Sequence, residues 1–345
     1  MSSVLTKLCT MNYTLCTNKG KMREKILQIK NLSVEFETDD ATISAVTDVS
    51  FDLYRGEILG IVGESGSGKS VSCQSILRLI PEPIGQITDG KIIFDNRDLL
   101  KISLKELREV RGQRISMIFQ EPMTALSPLK KIGVQLSDIL RTHNKISKKD
   151  AQAESMKWLK KVGIPSPETK INSYPYELSG GQRQRVMIAM ALILEPDIII
   201  ADEPTTALDV TIQAQIFDLI KDLKNENTSI ILITHDMGVI NEMCDRVIVM
   251  YASEIVEVAE KDQLFKTPKH PYTKALLRSI PDLYNRVNEL QTIPGQVPAP
   301  VNYGNYCRFN NRCSFVFDRC KKEHPELLQE SGEQCRCLKY VVRDA

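Results

Sequence analysis

The 345-residue chain contains no long apolar run. A membrane-spanning helix needs about 18–20 consecutive apolar residues. The most apolar stretch, Val186 to Ala201, is broken by Glu195-Pro196-Asp197. A helical span is therefore not expected, and the chain should be soluble or held at a membrane through a partner. An excess of one charge is also lacking, since Lys and Arg number 45 against 44 Asp and Glu, a net of +1. That balance argues against a globally basic nucleic-acid binder. The first 25 residues have no apolar core of the kind a secretory signal carries. A disordered tail is expected there, with Met11 and Met22 as alternative starts. With no export signal, the nine cysteines are not expected to form disulfides. Internal repeats and low-complexity segments are absent as well, and the length suffices for two domains.

What is present is concentrated at a few places. Residues 63–70 read Gly63-Glu64-Ser65-Gly66-Ser67-Gly68-Lys69-Ser70, which fits the phosphate-loop pattern G-x-x-x-x-G-K-[ST]. An isolated Gly/Ser turn could match by chance, but here an apolar strand (Ile58 to Val62) precedes the loop and a helical pattern (Val71 to Leu79) follows it. Glycines let backbone N–H groups turn inward around phosphate oxygens, and the helix N-terminus adds partial positive charge. Lys69 is expected to reach the β- and γ-phosphates and Ser70 to bind Mg²⁺.

Further strands are expected at Ile26 to Phe36, Ile43 to Leu53, Lys91 to Asp95 and Ile115 to Phe119. Residues from about 130 to 170 read as a helical insert, with Ile132, Leu136, Ile139 and Leu140 at helical spacing. Arg183 to Leu194 reads as an amphipathic helix with Val186, Ala189, Met190 and Ile193 on one face. Ile198 to Ile200, Ile212 to Leu223 and Ile230 to Ile233 then alternate strand, helix, strand, which predicts a parallel sheet covered on both faces. Asp202-Glu203 ends one such strand, where ligands bind in α/β sheets. Asp202 is placed to hold Mg²⁺ and Glu203 to deprotonate an attacking water. Leu178-Ser179-Gly180-Gly181-Gln182 opens a helix and could cradle a second anion, although alone it would be a plain helix start.

These segments and their order resemble the ATPases of ABC transporters. Leu178 to Gln182 is similar to their signature motif, and the phosphate loop, Gln120, Asp202-Glu203, Ala207-Leu208-Asp209 and His235 complete the set over residues 26 to about 258. The resemblance implies a P-loop NTPase of the α/β class: a RecA-like core, an antiparallel β subdomain and a helical subdomain at about 123–180, together spanning 26–260. It implies ATP and Mg²⁺ as ligands, with Ser70, Gln120 and Asp202 around the metal and Lys69, Gln120, Glu203 and His235 as the catalytic set. Two ATPase subunits would face each other head to tail. Ser179, Gly180, Gly181 and Gln182 would then meet the nucleotide bound by the partner, and Asp209 would work across the interface. Phe36 is the candidate for stacking on adenine.

Phe119 to Pro128, Arg183 to Leu192 and His270-Pro271-Tyr272-Thr273-Lys274-Ala275-Leu276-Leu277 are similar to stretches of oligopeptide and dipeptide importer ATPases. This extends the resemblance to nearly the whole chain after residue 25. It implies peptide import, a second and different ATPase chain, two membrane permeases, an extracytoplasmic binding protein and a place at the cytoplasmic face of the cell membrane. Nickel or glutathione is the alternative cargo, and a soluble ATPase acting on nucleic acid or ribosomes the remote alternative. Ser253 departs from the pattern, because relatives usually carry glycine there. A C-terminal extension, 261–345, gathers Cys307, Cys313, Cys320, Cys335 and Cys337. Relatives with this extension can hold a [4Fe-4S] cluster on four such cysteines, and the resemblance implies Cys307, Cys313, Cys320 and Cys337 as ligands, with Cys335 an alternative fourth. Zinc and unligated thiols remain open on ligand chemistry alone.

Overall fold

The computed structural model describes residues 24–205, 209–279, 292–301, 303–330 and 332–341. The expected tail up to residue 23, with Cys9, Cys16 and both alternative starts, lies outside them, as do Ala207, Leu208 and Pro281. The described residues form two compact units, one made of those up to Lys101 and from His235 onward, the other of those within Ile102–Thr234.

The first unit contains an antiparallel sheet in the order Thr42–Tyr54, Lys25–Glu37, Gly85–Phe94, Arg97–Asp98. In Lys25–Glu37, Leu27 and Ile29 point inward, and so do Leu32 and Val34, although odd has become even. A register shift between Ile29 and Leu32, with Asn31 at φ +50°, makes this possible. An extra residue at a bulge restores the apolar face that strict alternation would turn outward.

Also in this unit, Ile58–Val62 runs parallel to Arg246–Tyr251, which turns back antiparallel into Glu254–Glu260. Glu333–Cys335 and Leu328–Glu330 extend the sheet beyond that hairpin. The hairpin turn places Ala252 at φ +48° and Ser253 at φ +71°. Left-handed backbone costs a non-glycine residue about 1–2 kcal/mol, and it explains the glycine usual at the second position. Here the turn is tied down instead. Ser253 is fully buried with its Oγ 3.2 Å from the Tyr303 hydroxyl, its carbonyl accepts from Thr47 N–H at 2.8 Å, and Arg308 donates to the Ala252 carbonyl at 2.6 Å.

The second unit is built on three parallel strands, Ile115–Ile118, Ile198–Asp202 and Ser229–Ile233, with Ile198–Asp202 in the middle. All three are buried throughout, as their mainly apolar sequences require, with Ser116, Asp202 and Ser229 the polar residue of each. Helices Ile132–His143 and Lys148–Lys161 fill the expected helical stretch. Ser147 caps the second by accepting from Asp150 N–H, and Lys160 and Lys161 sit at its negative end. The helix expected as amphipathic is instead Gly180–Leu192, buried on several sides through Gln184, Val186, Met187, Ile188 and Ala191, while Met190 is only half-buried. A one-face pattern read from four residues missed that Met187, Ile188 and Ala191 are apolar too, which is the mark of a core helix.

Candidate functional site

The phosphate-loop half belongs to the first unit. The buried strand Ile58–Val62 delivers the chain into the loop, and helix Lys69–Ile76 carries it out. Two glycines are required by contact. A Cβ on Gly63 would come within 2.2 Å of the Met250 carbonyl oxygen, and one on Gly68, at φ +94°, within 2.5 Å of the Ala45 carbonyl oxygen. The loop backbone is therefore pressed against its neighbours where only glycine fits. Ser65 and Gly66 form the exposed tip, while Ser67, Gly68 and Lys69 are buried.

Helix Lys69–Ile76 starts with no side-chain cap and no acidic residue in its first turn. Its positive end is left for an anion. The Lys69 side chain folds back over the loop, its ammonium donating to the carbonyls of Gly63 (2.9 Å) and Glu64 (3.0 Å). Among the described residues, the buried Ser67 Oγ finds no hydrogen-bond partner. A phosphate oxygen would satisfy it, since buried polar groups are rarely left unpaired. Ser70, half-buried, follows Lys69 at the helix start. His235 is exposed and precedes Asp236, which caps helix Met237–Met243 through Gly238 N–H at 2.7 Å. Phe36 is half-buried, and a Cβ on Gly85 would lie 2.7 Å from its ring.

The second unit carries the carboxylates and the second helix start. Asp202 ends its strand buried, at 4% exposure. Glu203 follows in left-handed backbone at φ +42°, its N–H donating to the Ile233 carbonyl at 3.0 Å. The Gln120 side-chain nitrogen donates to Glu203 Oε2 at 3.2 Å. Two residues 83 positions apart in sequence are thus brought into contact. Ser179 caps helix Gly180–Leu192 in a reciprocal pair with Gln182. The Ser179 Oγ accepts from Gln182 N–H (3.3 Å), and Gln182 Oε1 accepts from Ser179 N–H (3.2 Å). Gly180 and Gly181 sit in the first turn, the positive end of the helix. Asp209 caps helix Val210–Leu223 by accepting from Ile212 N–H at 3.0 Å. Nearby in the same unit, Met123, Leu129 and Val134 expose apolar side chains.

The described cysteines fall into two groups. Cys73 and Cys244 are buried core residues. Cys307, Cys313, Cys320 and Cys337 line one cavity, together with His270 and Phe309, and Cys335 is not among its lining residues. Burial pushes the Cys307 thiol up to about 12 and raises Cys313 and Cys337 above the ordinary thiol range. Among the described residues, no three or more His, Cys, Asp or Glu side chains converge as closely as a single metal ion needs.

Sequence motifs directed attention to the loop but missed what holds it from behind. Tyr272 and Arg312 both contact Glu64. Only Tyr272 lay in a quoted motif; Arg312 sits beside Cys313 of the cysteine group, but no pattern gave the arginine itself a role.

A phosphate-loop pattern at a helix start in the first unit and a carboxylate pair at a strand end in the second are motifs on which the resemblance to ABC-transporter ATPases rests. Comparison with known proteins agrees. Residues 46–206 match the ABC transporter family, and residues 256–320 match the family described as oligopeptide/dipeptide transporter, C-terminal region. The Bacillus subtilis dipeptide transport ATP-binding protein DppD is 51% identical over 316 residues, 91% of this chain and 94% of that protein. The oligopeptide transport ATP-binding protein OppD of the same organism is 48% identical, over 89% of this chain and 86% of its own. Among solved structures, the ATP-binding cassette MJ0796 bound to ADP and Pi is similar at a TM-score of 0.61 and 29% identity, covering 68% of this chain and 98% of that one. The chain belongs to the family of ABC-transporter ATP-binding proteins that includes these relatives, and it is an ATPase.

Proposed function

We propose that the chain energises an importer of dipeptides or oligopeptides, working as a peripheral subunit at the cytoplasmic face of the cell membrane. The observation that carries this reading is the identity, about half over nine-tenths of the chain, to relatives named for dipeptide and oligopeptide transport. No described helix is long and apolar enough to cross a membrane, and two permeases are proposed as the chain's membrane partners. Exposed Met123, Leu129 and Val134, close in sequence to Gln120, offer them an apolar surface. A second, different ATPase and an extracytoplasmic binding protein complete the assembly. Uptake of labelled peptides in cells lacking the chain tests the cargo. Peptide uptake should be lost and return only with the wild-type gene. Loss of nickel or glutathione uptake with peptide uptake intact overturns the reading.

In this reading residues 63–70 seat the triphosphate, with Lys69 and the helix start supplying positive charge. Ser70, Gln120 and Asp202 would hold Mg²⁺, which when bound neutralises charge on the β- and γ-phosphates. Glu203 takes a proton from water, oriented by Gln120, and His235 holds the geometry at the γ-phosphate. Ser179, Gly180, Gly181 and Gln182 close over the partner's nucleotide, Asp209 acts across that interface, and Phe36 stacks on adenine. Hydrolysis then depends on closure, because one chain holds only part of each site.

The donor set around the thiol cavity suits a [4Fe-4S] cluster on Cys307, Cys313, Cys320 and Cys337, which when bound would cross-link the extension. Thiolate ligation has to displace the protons that burial retains, and iron supplies the charge to do so. Anaerobically purified protein should be brown with about four irons per chain. Cys337→Ser should lose most of that iron and Cys335→Ser retain it. A colourless, zinc-loaded preparation, or iron lost from Cys335→Ser alone, refutes the assignment.

A further inference from the structure

The phosphate loop is gripped from outside by the segment after residue 260, and the grip falls on one residue. The backbone N–H of Glu64 donates to the Tyr272 hydroxyl at 3.0 Å, and its carboxylate accepts from Arg312 Nη1 at 2.9 Å. Arg312 is built in. Its side chain is 6% exposed, Nε donates to the Pro294 carbonyl (3.0 Å) and Nη2 to the Ile293 carbonyl (3.3 Å). All three guanidinium nitrogens are committed, so the fork has one orientation. Tyr272 is fully buried in a cluster with Tyr251 and Phe309, ring centroids 4.7 and 5.5 Å away. Helix Pro271–Arg278, which carries it, is capped by the His270 ring, whose Nδ1 accepts from Tyr272 N–H at 3.0 Å.

Two consequences follow for a bound polyanion. First, the carbonyls that hold the Lys69 ammonium are those of Gly63 and Glu64. Fixing Glu64 therefore fixes Lys69, and a loop ordered in advance spends less free energy on ordering when ligand arrives. Second, a carboxylate at the second position of a phosphate loop repels phosphates unless it is paired, and Arg312 pairs it.

We propose that Arg312 and Tyr272 are positioning residues for nucleotide: they brace Glu64 so that the loop is preformed and its carboxylate is masked. Both come from the segment that surrounds the thiol cavity, Arg312 next to Cys313 and Tyr272 two residues from His270. The C-terminal region thereby acts on ATP affinity without touching ATP. The proposal rests on the reading of residues 63–70 as the nucleotide loop.

Titration of the full-length protein with a fluorescent ATP analogue in the presence of Mg²⁺ tests it. Arg312→Met should raise Kd about tenfold, and Tyr272→Phe, which keeps the ring and loses the hydroxyl, about threefold. With ATP varied in steady-state turnover, both should raise KM more than they lower kcat. Masking makes a sharper demand. The double variant Glu64→Gln/Arg312→Met should bind more tightly than Arg312→Met alone, because the unpaired carboxylate is gone. A merely structural arginine would not be rescued in this way. Unchanged Kd for Arg312→Met and Tyr272→Phe, or a double variant no tighter than Arg312→Met, overturns the brace. Should Arg312→Met fail to fold, an unchanged Kd for Tyr272→Phe overturns it alone. Lys69→Ala is the reference arm: if it binds like wild type, the loop reading itself has failed, and the brace with it.

Discussion

Replacing Glu203 with Gln should lower ATP turnover by about 10²–10⁴-fold, the usual worth of a positioned general base, while leaving ATP bound. The substitution is nearly isosteric. Gln can still occupy the space and meet Gln120, which now donates to Glu203 Oε2 at 3.2 Å. It cannot accept a proton from water at neutral pH. The backbone indicates how firmly this side chain is held. Glu203 sits at φ +42° directly after a buried strand, and its N–H is fixed to the Ile233 carbonyl. A non-glycine residue in that conformation costs about 1–3 kcal/mol and persists only where its surroundings impose it. Such strain at the end of a carboxylate strand fits a group whose direction matters more than its comfort. Phosphate release and retained nucleotide, measured on the same preparation, separate the outcomes. Turnover within tenfold of wild type would remove Glu203 as the base, and loss of bound ATP would mean that the carboxylate serves binding.

Much of this architecture can be read from residue order, and the unread part has identifiable physical causes. Periodicity located both long antiparallel strands, because one face of each is buried and alternation survives in the sequence. It did not disclose the bulge at Asn31, where inward positions change from odd to even. Three all-buried strands were legible as mainly apolar runs. The helix Gly180–Leu192 was legible as a helix but not as a core helix, since a window of four residues cannot separate one apolar face from several. Within the site, glycines, Lys69 and the carboxylate pair announce themselves because their chemistry needs those residue types at fixed spacing. Arg312 does not. It reaches Glu64 across 248 positions of sequence, and no local pattern encodes a contact of that range. Ser253 is an intermediate case. Its departure from glycine was visible, and only the fold shows the Tyr303 hydroxyl and Thr47 N–H that hold the strained turn.

The second large effect is expected at Lys69. Lys69→Ala should weaken ATP binding itself by at least about 100-fold, whereas Glu203→Gln should spare it. Lys69 is 6% exposed, and its ammonium lies over the loop on two backbone carbonyls. Removing it costs in two ways. A charge-assisted hydrogen bond contributes about 1.5–3 kcal/mol, and Lys69 can offer more than one to a triphosphate once it swings from the carbonyls of Gly63 and Glu64. Its loss also removes the ammonium that joins those two carbonyls, so the cradle loses shape as well as charge. With each 1.4 kcal/mol worth tenfold, the lower bound for two such bonds is already about 100-fold. Lys69→Arg separates the two contributions. It keeps the charge, but its planar fork does not fit a space shaped around an ammonium that sits 2.9 and 3.0 Å from two carbonyls. Binding restored by Arg would mean that charge alone suffices. Binding as weak as in Lys69→Ala would mean that the loop requires the compact ammonium as its internal prop, and an ATP affinity unchanged by either variant would remove residues 63–70 as the nucleotide site.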